Sequence, residues 1–387
     1  MKSSLLFFIS SLIGACVALV FLNVLEPWDL HCCDGVHYLA IYNGELAPAP
    51  FGYRVLTPFF ARLLPWDAVI NFGIVSIGCL ALTTGLIALY SYRFGCTRSI
   101  IVIFCILWFT SYPFVYYGTT LVRADPPVLF LVAVIFFISR IPTVTTLTLL
   151  FLISLGTLSH ETMLICIPAL WIDKILSTSL TGGNRLKYHQ LFIITLGSIA
   201  FAAIFRLIAP ALPATNSYAN IFLGMFSHVI DYSGGWIKHT LRIYSAYGPA
   251  IIFAAFYATP WRSLPRSIGF FSLLLIAIIA TLLATDTLRV MAIIYFPVIF
   301  YASKYVEEWW QSGLRATAVA CVLIQLSYSY IVYGHLKSFE ASITLQSVAA
   351  VLSLATLIFC ILIEVKRPHR IDERSVPRAT HRGLNLR

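Results

Sequence analysis

The chain has 387 residues, 59% of them hydrophobic and 11% charged, with 26 Lys and Arg against 16 Asp and Glu, and its mean hydropathy is +0.87. A water-soluble fold cannot hide that much apolar surface, and the runs are continuous rather than alternating, so composition excludes both a soluble domain and a transmembrane barrel. The net charge of +10 does not point to nucleic acid, because most basic residues fall in short segments between apolar runs and in the tail, where membrane topology accounts for them.

The chain opens with Lys2 and an apolar run to Leu22. Ile13-Gly14-Ala15-Cys16 has the look of a lipoprotein cleavage box, but the run continues past Cys16, which reads as an uncleaved first helix. Spans follow near 68–90, 99–113, 126–139, 143–158, 163–173, 190–209, 246–259, 268–284, 290–303, 316–333 and 343–364. With the first, near 4–22, they make about twelve (10–13) transmembrane helices in an all-α, polytopic protein, both termini on one side. Several middle spans are short for a hydrocarbon core of roughly 30 Å, so some must be broken or re-entrant. Of the 26 basic residues, 18 fall on the side of the termini and 8 on the other, which makes the termini cytoplasmic. Residues 1–365 read as one transmembrane domain. Residues 366–387 read as a basic cytoplasmic tail, disordered and held near anionic headgroups. The nine cysteines show no CxxC and no zinc spacing, and the adjacent Cys32 and Cys33 do not suggest a structural disulfide.

The chemistry gathers on the outer face. The first outer loop, 23–67, is expected to carry short juxtamembrane helices, and its stretch from Asp34 to Pro65 holds Asp34, His37, Tyr38, Glu45, Tyr53, Arg54 and Arg62. Three further clusters map to the same face: Arg123-Ala124-Asp125 ahead of Pro126-Pro127, Ser159-His160-Glu161-Thr162, and Asp286-Thr287-Leu288-Arg289. Each has a plain alternative. Arg123 with Asp125, and Asp286 with Arg289, can be local ion pairs; His160 can be an interfacial histidine; Asp34 can be a solvated loop residue. Tyr116, Tyr117, Tyr244 and Tyr247 read as aromatic-belt anchors. Four polar clusters on one face of an apolar chain argue instead for a site, because ionisable groups at or inside a membrane are costly.

A site facing outward meets no cytosolic nucleotide sugar, so its activated substrate must arrive in the membrane, as a polyprenyl-phosphate sugar does. Asp34 is the candidate catalytic base for an acceptor hydroxyl. Arg54, Arg123 and Arg289 are candidates to hold the phosphate and stabilise it as it leaves. His37, Tyr38, Tyr53, Asp125, His160, Glu161 and Asp286 complete the candidate substrate-binding set. The outer carboxylates are candidate ligands for Mg²⁺ or Mn²⁺, without a diagnostic spacing.

The run Asp34-Gly35-Val36-His37-Tyr38-Leu39-Ala40-Ile41-Tyr42-Asn43-Gly44 resembles the first outer-loop motif of polyprenol-phosphate-sugar-dependent glycosyltransferases of the GT-C class. It is most similar to the mannosyltransferases that act on glycosylphosphatidylinositol anchors and to their bacterial relatives, whose loop reads roughly W-D-G-x-H-Y-x-x-I-A-x-x-G-Y. Phe51 to Pro58 holds the later, aromatic and proline-rich place. The resemblance implies a multi-pass helical fold, an outward site, Asp34 as the loop acid, and a polyprenyl-phosphate sugar, with mannose first in line, as donor to a lipid, glycan or protein acceptor. The sequence departs from the pattern at Cys33, where the family has Trp, and at Tyr53-Arg54-Val55-Leu56. Two other classes compete: a transporter or flippase of lipid-linked glycans, and a polysaccharide polymerase or ligase, which the late outer loop with Asp231, Lys238, His239 and Arg242 would suit. Asn-x-Ser/Thr is absent, which favours a bacterial inner membrane.

Overall fold

The computed structural model describes residues 3–24, 34–93, 96–139, 141, 144–175, 186–209, 211–212, 235–282, 287–333 and 343–366. The tail from 367, Asp231, Asp286, Cys32 and Cys33 lie outside them. Among the described residues the chain is helical, with one isolated bridge between Pro48 and Leu212. The helices are α1 (Ser3–Val24), α2 (Asp34–Tyr42), α3 (Leu56–Arg62), α4 (Ala68–Arg93), α5 (Arg98–Phe109), α6 (Tyr112–Thr119), α7 (Pro126–Ile138), α8 (Thr146–Thr157), α9 (Cys166–Ile175), α10 (Tyr188–Ile208), α11 (Trp236–Ser245), α12 (Pro249–Tyr257), α13 (Leu264–Leu282), α14 (Thr287–Ala292), α15 (Tyr295–Gln311), α16 (Arg315–Tyr333) and α17 (Ile343–Lys366).

Each of the twelve apolar runs contains a helix, but the lengths differ. Six are long and apolar enough to cross a membrane: α1, α4, α10, α13, α16 and α17. The pair α5 and α6, bent by 52° at their junction, is long and apolar enough together, as a broken span or a re-entrant loop. Large apolar side chains stand exposed along these helices, among them Phe192, Leu196, Ile199 and Leu207 on α10. Exposed apolar surface on this scale needs lipid around it. The protein is therefore a membrane-embedded, multi-pass helical protein.

The packing follows from residue size. On α1 the buried face is Leu6, Ser10, Gly14 and Ala18, a stripe of mostly small residues at helical spacing that lets two backbones approach. A Cβ on Gly14 would stand 2.6 Å from Thr84 Oγ1 and 3.3 Å from the Ala81 Cα of α4. At the centre runs α15, buried without a break from Tyr295 to Ser303. Its Phe296 meets Tyr90, Phe104 and Phe136 at ring separations of 4.8, 5.6 and 5.1 Å.

Breaks in the helices have local causes. Ser111 is extended and Pro113 opens α6, where the ring disfavours a continuous helix through the preceding residue. The break frees the Thr110 carbonyl, which accepts from Gln325 Nε2 at 3.1 Å and from Ser329 Oγ. Gln325 Oε1 accepts from the Ala250 N–H at the start of α12 at 3.0 Å. The Pro126-Pro127 pair starts α7 directly after Asp125. With 13 and 12 residues, α7 and α8 rise only about 20 and 18 Å, less than the roughly 30 Å hydrocarbon core. They run in opposite directions, so Asp125 and His160 stand at the same end.

Tyr116, Tyr117 and Tyr247 are not belt anchors. All three are buried, and the Tyr247 hydroxyl donates to the Met291 carbonyl. His239 is also internal, its Nε2 3.1 Å from Thr281 Oγ1.

Candidate active site

Four stretches distant in sequence are tied together at the start of α3. The Leu56 N–H donates to the Leu158 carbonyl at 3.0 Å. Thr57 Oγ1 donates to the Ala124 carbonyl at 2.8 Å and lies 3.2 Å from Ser159 Oγ. The loop before α3 is pinned to the end of α10 by paired backbone bonds, Ala49 N–H to Leu212 at 3.0 Å and Leu212 N–H to Ala47 at 3.1 Å. These bonds bring the charged side chains of the first loop and of the Arg123 and His160 segments to one place, and α14 joins them through Arg289.

The ion pairs that Arg54, Arg123 and Arg289 make in the cluster are long-range, which overturns the local-pair alternative for Arg123 with Asp125. Arg289 donates through Nη2 to Asp125 Oδ2 at 2.7 Å and through Nε to Asp125 Oδ1 at 3.4 Å, and its Nη1 pairs with Asp34 Oδ2. Arg54 forks onto Glu161, Nη2 to Oε1 at 2.8 Å and Nε to Oε2 at 3.2 Å. Arg123 Nη1 stands 3.5 Å from Asp34 Oδ2, with its guanidinium 5.8 Å from the Tyr116 ring centre. Tyr38, fully buried, takes hydrogen bonds at its hydroxyl from Arg54 at 3.1 Å and Arg289 at 3.5 Å. A local pair between Arg123 and Asp125 does not form because Arg289 already occupies both Asp125 oxygens. Asp286, the suggested local partner of Arg289, lies outside the described residues.

Burial sets the electrostatics. At Asp34 burial pushes the carboxyl up, but Arg289 and then Arg123 outweigh it and hold it below its ordinary value. At Glu161 burial is outweighed in the same way, chiefly by Arg54, and the carboxyl falls well below the usual range. At His160 the pull of Glu161 and Asp125 is outweighed. Burial, with Arg54 nearby, pushes the imidazole down to about 4, so it is neutral at pH 7 although Asp125 Oδ1 lies 3.7 Å from Nε2.

Two predicted residues stand beside the ionic cluster rather than in it. His37 stacks on Phe51 at 4.5 Å, and Tyr53 lies under Arg206, whose guanidinium is 5.7 Å from its ring centre. Arg206 also reaches Glu161 Oε2 at 3.9 Å. Neither Arg206 nor Thr57 is anticipated as a site residue. Arg206 had a signal, a lone charge ending an apolar span; Thr57 had none. Among the described residues no three His, Cys, Asp or Glu side chains gather as a metal-ligand group, since the carboxylates are spent on arginines.

No protein family, curated protein or solved structure matches the chain. Its function is therefore argued from the site.

Proposed function

We propose that the chain is a glycosyltransferase of the GT-C kind that moves a sugar from a polyprenyl-phosphate carrier to an acceptor hydroxyl on a lipid, glycan or protein. One observation carries this reading: Asp34 meets two of three buried arginines, Arg54, Arg123 and Arg289, at the open end of the α7–α8 hairpin. Buried charges in a membrane protein are expensive and mark function, and guanidinium groups suit phosphate oxygens.

The acceptor oxygen attacks the anomeric carbon while Asp34 takes the hydroxyl proton. The bond from the anomeric carbon to the phosphate oxygen breaks, and its electron pair leaves with the phosphate, whose charge the arginines neutralise. Asp34 suits the role by position, as the more exposed of the two carboxylates on Arg289. Tyr38 braces Arg54 and Arg289 in place. A phosphate borne on a lipid chain would reach the open end of the hairpin without leaving the bilayer.

Twelve crossings, cytoplasmic termini, an outward site and a bacterial inner membrane belong to the same reading. Support comes from the ion pairs. Arg54, Arg206, Arg289, Asp34, Asp125 and Glu161, assigned to the outer face, pair with one another. Arg262, Glu308 and Glu364, assigned to the cytoplasmic face, do likewise.

The test is sugar transfer by purified protein in nanodiscs, with radiolabelled polyprenyl-phosphate sugars, mannose first, and a membrane acceptor extract. Wild type transfers and Asp34→Asn loses about 100-fold or more, the usual weight of a general base. Equal transfer by both removes Asp34 from the mechanism. Movement of a lipid-linked glycan across the bilayer, with no transfer from any donor, replaces the enzyme with a flippase.

A further inference from the structure

The three buried arginines are not equivalent. A guanidinium has five N–H donors. Arg54 places Nε and Nη2 on Glu161 and Nη1 on Tyr38. Arg289 places Nε and Nη2 on Asp125 and Nη1 on Asp34. Arg123 is as buried as they are, 4% exposed, yet its Nε finds no hydrogen-bond partner, and among the described residues its one carboxylate neighbour is Asp34 at 3.5 Å. A buried cation with idle donors is costly. The same guanidinium reaches Asp34 through Nη1, and the Asp34 side chain is 21% exposed, where that of Asp125 is 5% exposed. Asp34 thus stands at the accessible edge of the cluster and Asp125 at its floor.

We propose that Arg123 is the phosphate subsite, that Asp34 is its resident stand-in, and that an arriving phosphate displaces the Asp34 carboxylate and so frees it to act as base. The identity of the anion as a lipid phosphate rests on the function proposed above; the subsite and the exchange rest on Arg123 and Asp34 alone. No covalent bond changes in the exchange. The phosphate oxygens take up the Arg123 donors, and Asp34 keeps at most its contact to Arg289. A carboxylate locked by two arginines is a poor base, and one relieved of a cation is a stronger one. The base would therefore be released only when a donor is bound. Arg54 and Arg289, each with all three guanidinium nitrogens already bonded, act as positioning residues that hold Glu161, Tyr38 and Asp125.

The test is binding to the full chain in nanodiscs, independent of transfer. The probes are geranyl phosphate, uncharged geraniol and inorganic phosphate. Wild type binds geranyl phosphate, and geraniol at least tenfold more weakly. Asp34→Asn, which removes the competitor, binds geranyl phosphate about tenfold more tightly although it cannot transfer. Arg123→Gln binds about tenfold more weakly, and Arg123→Lys recovers part of the loss. In the Arg123→Gln background Asp34→Asn gives little gain, because the gain runs through Arg123.

Unchanged or weaker binding by Asp34→Asn overturns the exchange. An equal gain in both backgrounds also overturns it, since the cause is then the general field. Unchanged binding by Arg123→Gln overturns the subsite. Should that variant fail to fold, Asp34→Asn and Arg123→Lys still decide. Inorganic phosphate binding as tightly as geranyl phosphate would assign the subsite to free phosphate and overturn the lipid-borne ligand. The predicted binding pattern without sugar transfer would sink the enzyme reading and leave the subsite standing.

Discussion

Arg289 joins the base to the rest of the site, and removing it together with its deepest partner separates structural from chemical roles. Arg289→Met alone leaves Asp125, 4% exposed, with a neutral imidazole at 3.7 Å as its nearest polar help. Stranding a buried charge in this way costs about 3–5 kcal/mol. The double variant Arg289→Met/Asp125→Leu removes both charges at similar volume and should return to within about 1 kcal/mol of wild type, or exceed it. Chemical unfolding in mixed micelles measures all three proteins. Transfer should not recover with stability. Asp34 loses its strongest cationic neighbour and keeps only Arg123 at 3.5 Å. Its folded pKa is lowered in wild type, so the ionised base persists below the usual carboxylate value near 3.9. Without Arg289 that value rises, and the acid limb of the pH–rate profile moves to higher pH. A double variant with wild-type transfer and an unmoved acid limb would refute the reasoning and make the network a scaffold.

Other consequences follow from single contacts. Because burial lowers His160 to about 4 from about 6.5 when unfolded, the unfolded chain binds the extra proton in between. Stability is full above pH 6.5 and falls as pH drops toward 4, by an order of 3 kcal/mol; His160→Gln should flatten that fall in a pH series of unfolding curves. Gln325→Leu removes the bonds to Thr110 and Ala250 and should cost about 2 kcal/mol. Adding Ser329→Ala strips the Thr110 carbonyl of its other side-chain donor, so a double-mutant cycle should show a loss greater than the sum; additivity would deny the shared cap. Gly14→Val forces a Cβ against Thr84 and the α4 backbone and should cost about 1–3 kcal/mol, whereas Gly78→Ala, with open space beside it, should be neutral or slightly stabilising.

The fold was legible wherever a run of apolar residues settled the answer. All twelve runs contain helices, and α1, α4, α10, α13, α16 and α17 are as long as their sequences suggest. Sequence was least informative about how far the middle helices reach, because the break between α5 and α6 and the abrupt start of α7 depend on Ser111-Tyr112-Pro113 and Pro126-Pro127 acting with distant caps such as Gln325. The site was partly legible. Ionisable residues stand out in an apolar chain, so Asp34, Arg54, Arg123, Asp125, His160, Glu161 and Arg289 could all be singled out. Their partners could not. A charge pair between Asp34 and Arg289 spans 255 positions, and spacing along a chain favours the nearer Asp125 for Arg123. The tyrosines went astray for a related reason. At the sequence level an interfacial tyrosine and a buried one with a bonded hydroxyl look alike.

The two ionic clusters differ in a way that bears on function. At the end away from the site, Arg262 faces two carboxylates, Glu308 and Glu364, and Lys304 faces Glu307. Acids there match or outnumber their cations, as a purely structural clamp between span ends requires. Among the described residues the balance at the site is reversed. Arg54, Arg123, Arg206 and Arg289 face Asp34, Asp125 and Glu161, and the buried His160 is neutral. The surplus falls on the arginines, and the least satisfied of them is the buried Arg123. A low-dielectric interior strengthens an unbalanced charge rather than screening it. Among the described side chains, Arg123 is therefore where an arriving anion gains most. When that anion takes the place of Asp34 on Arg123, the carboxylate loses one of its two cations and becomes a stronger base.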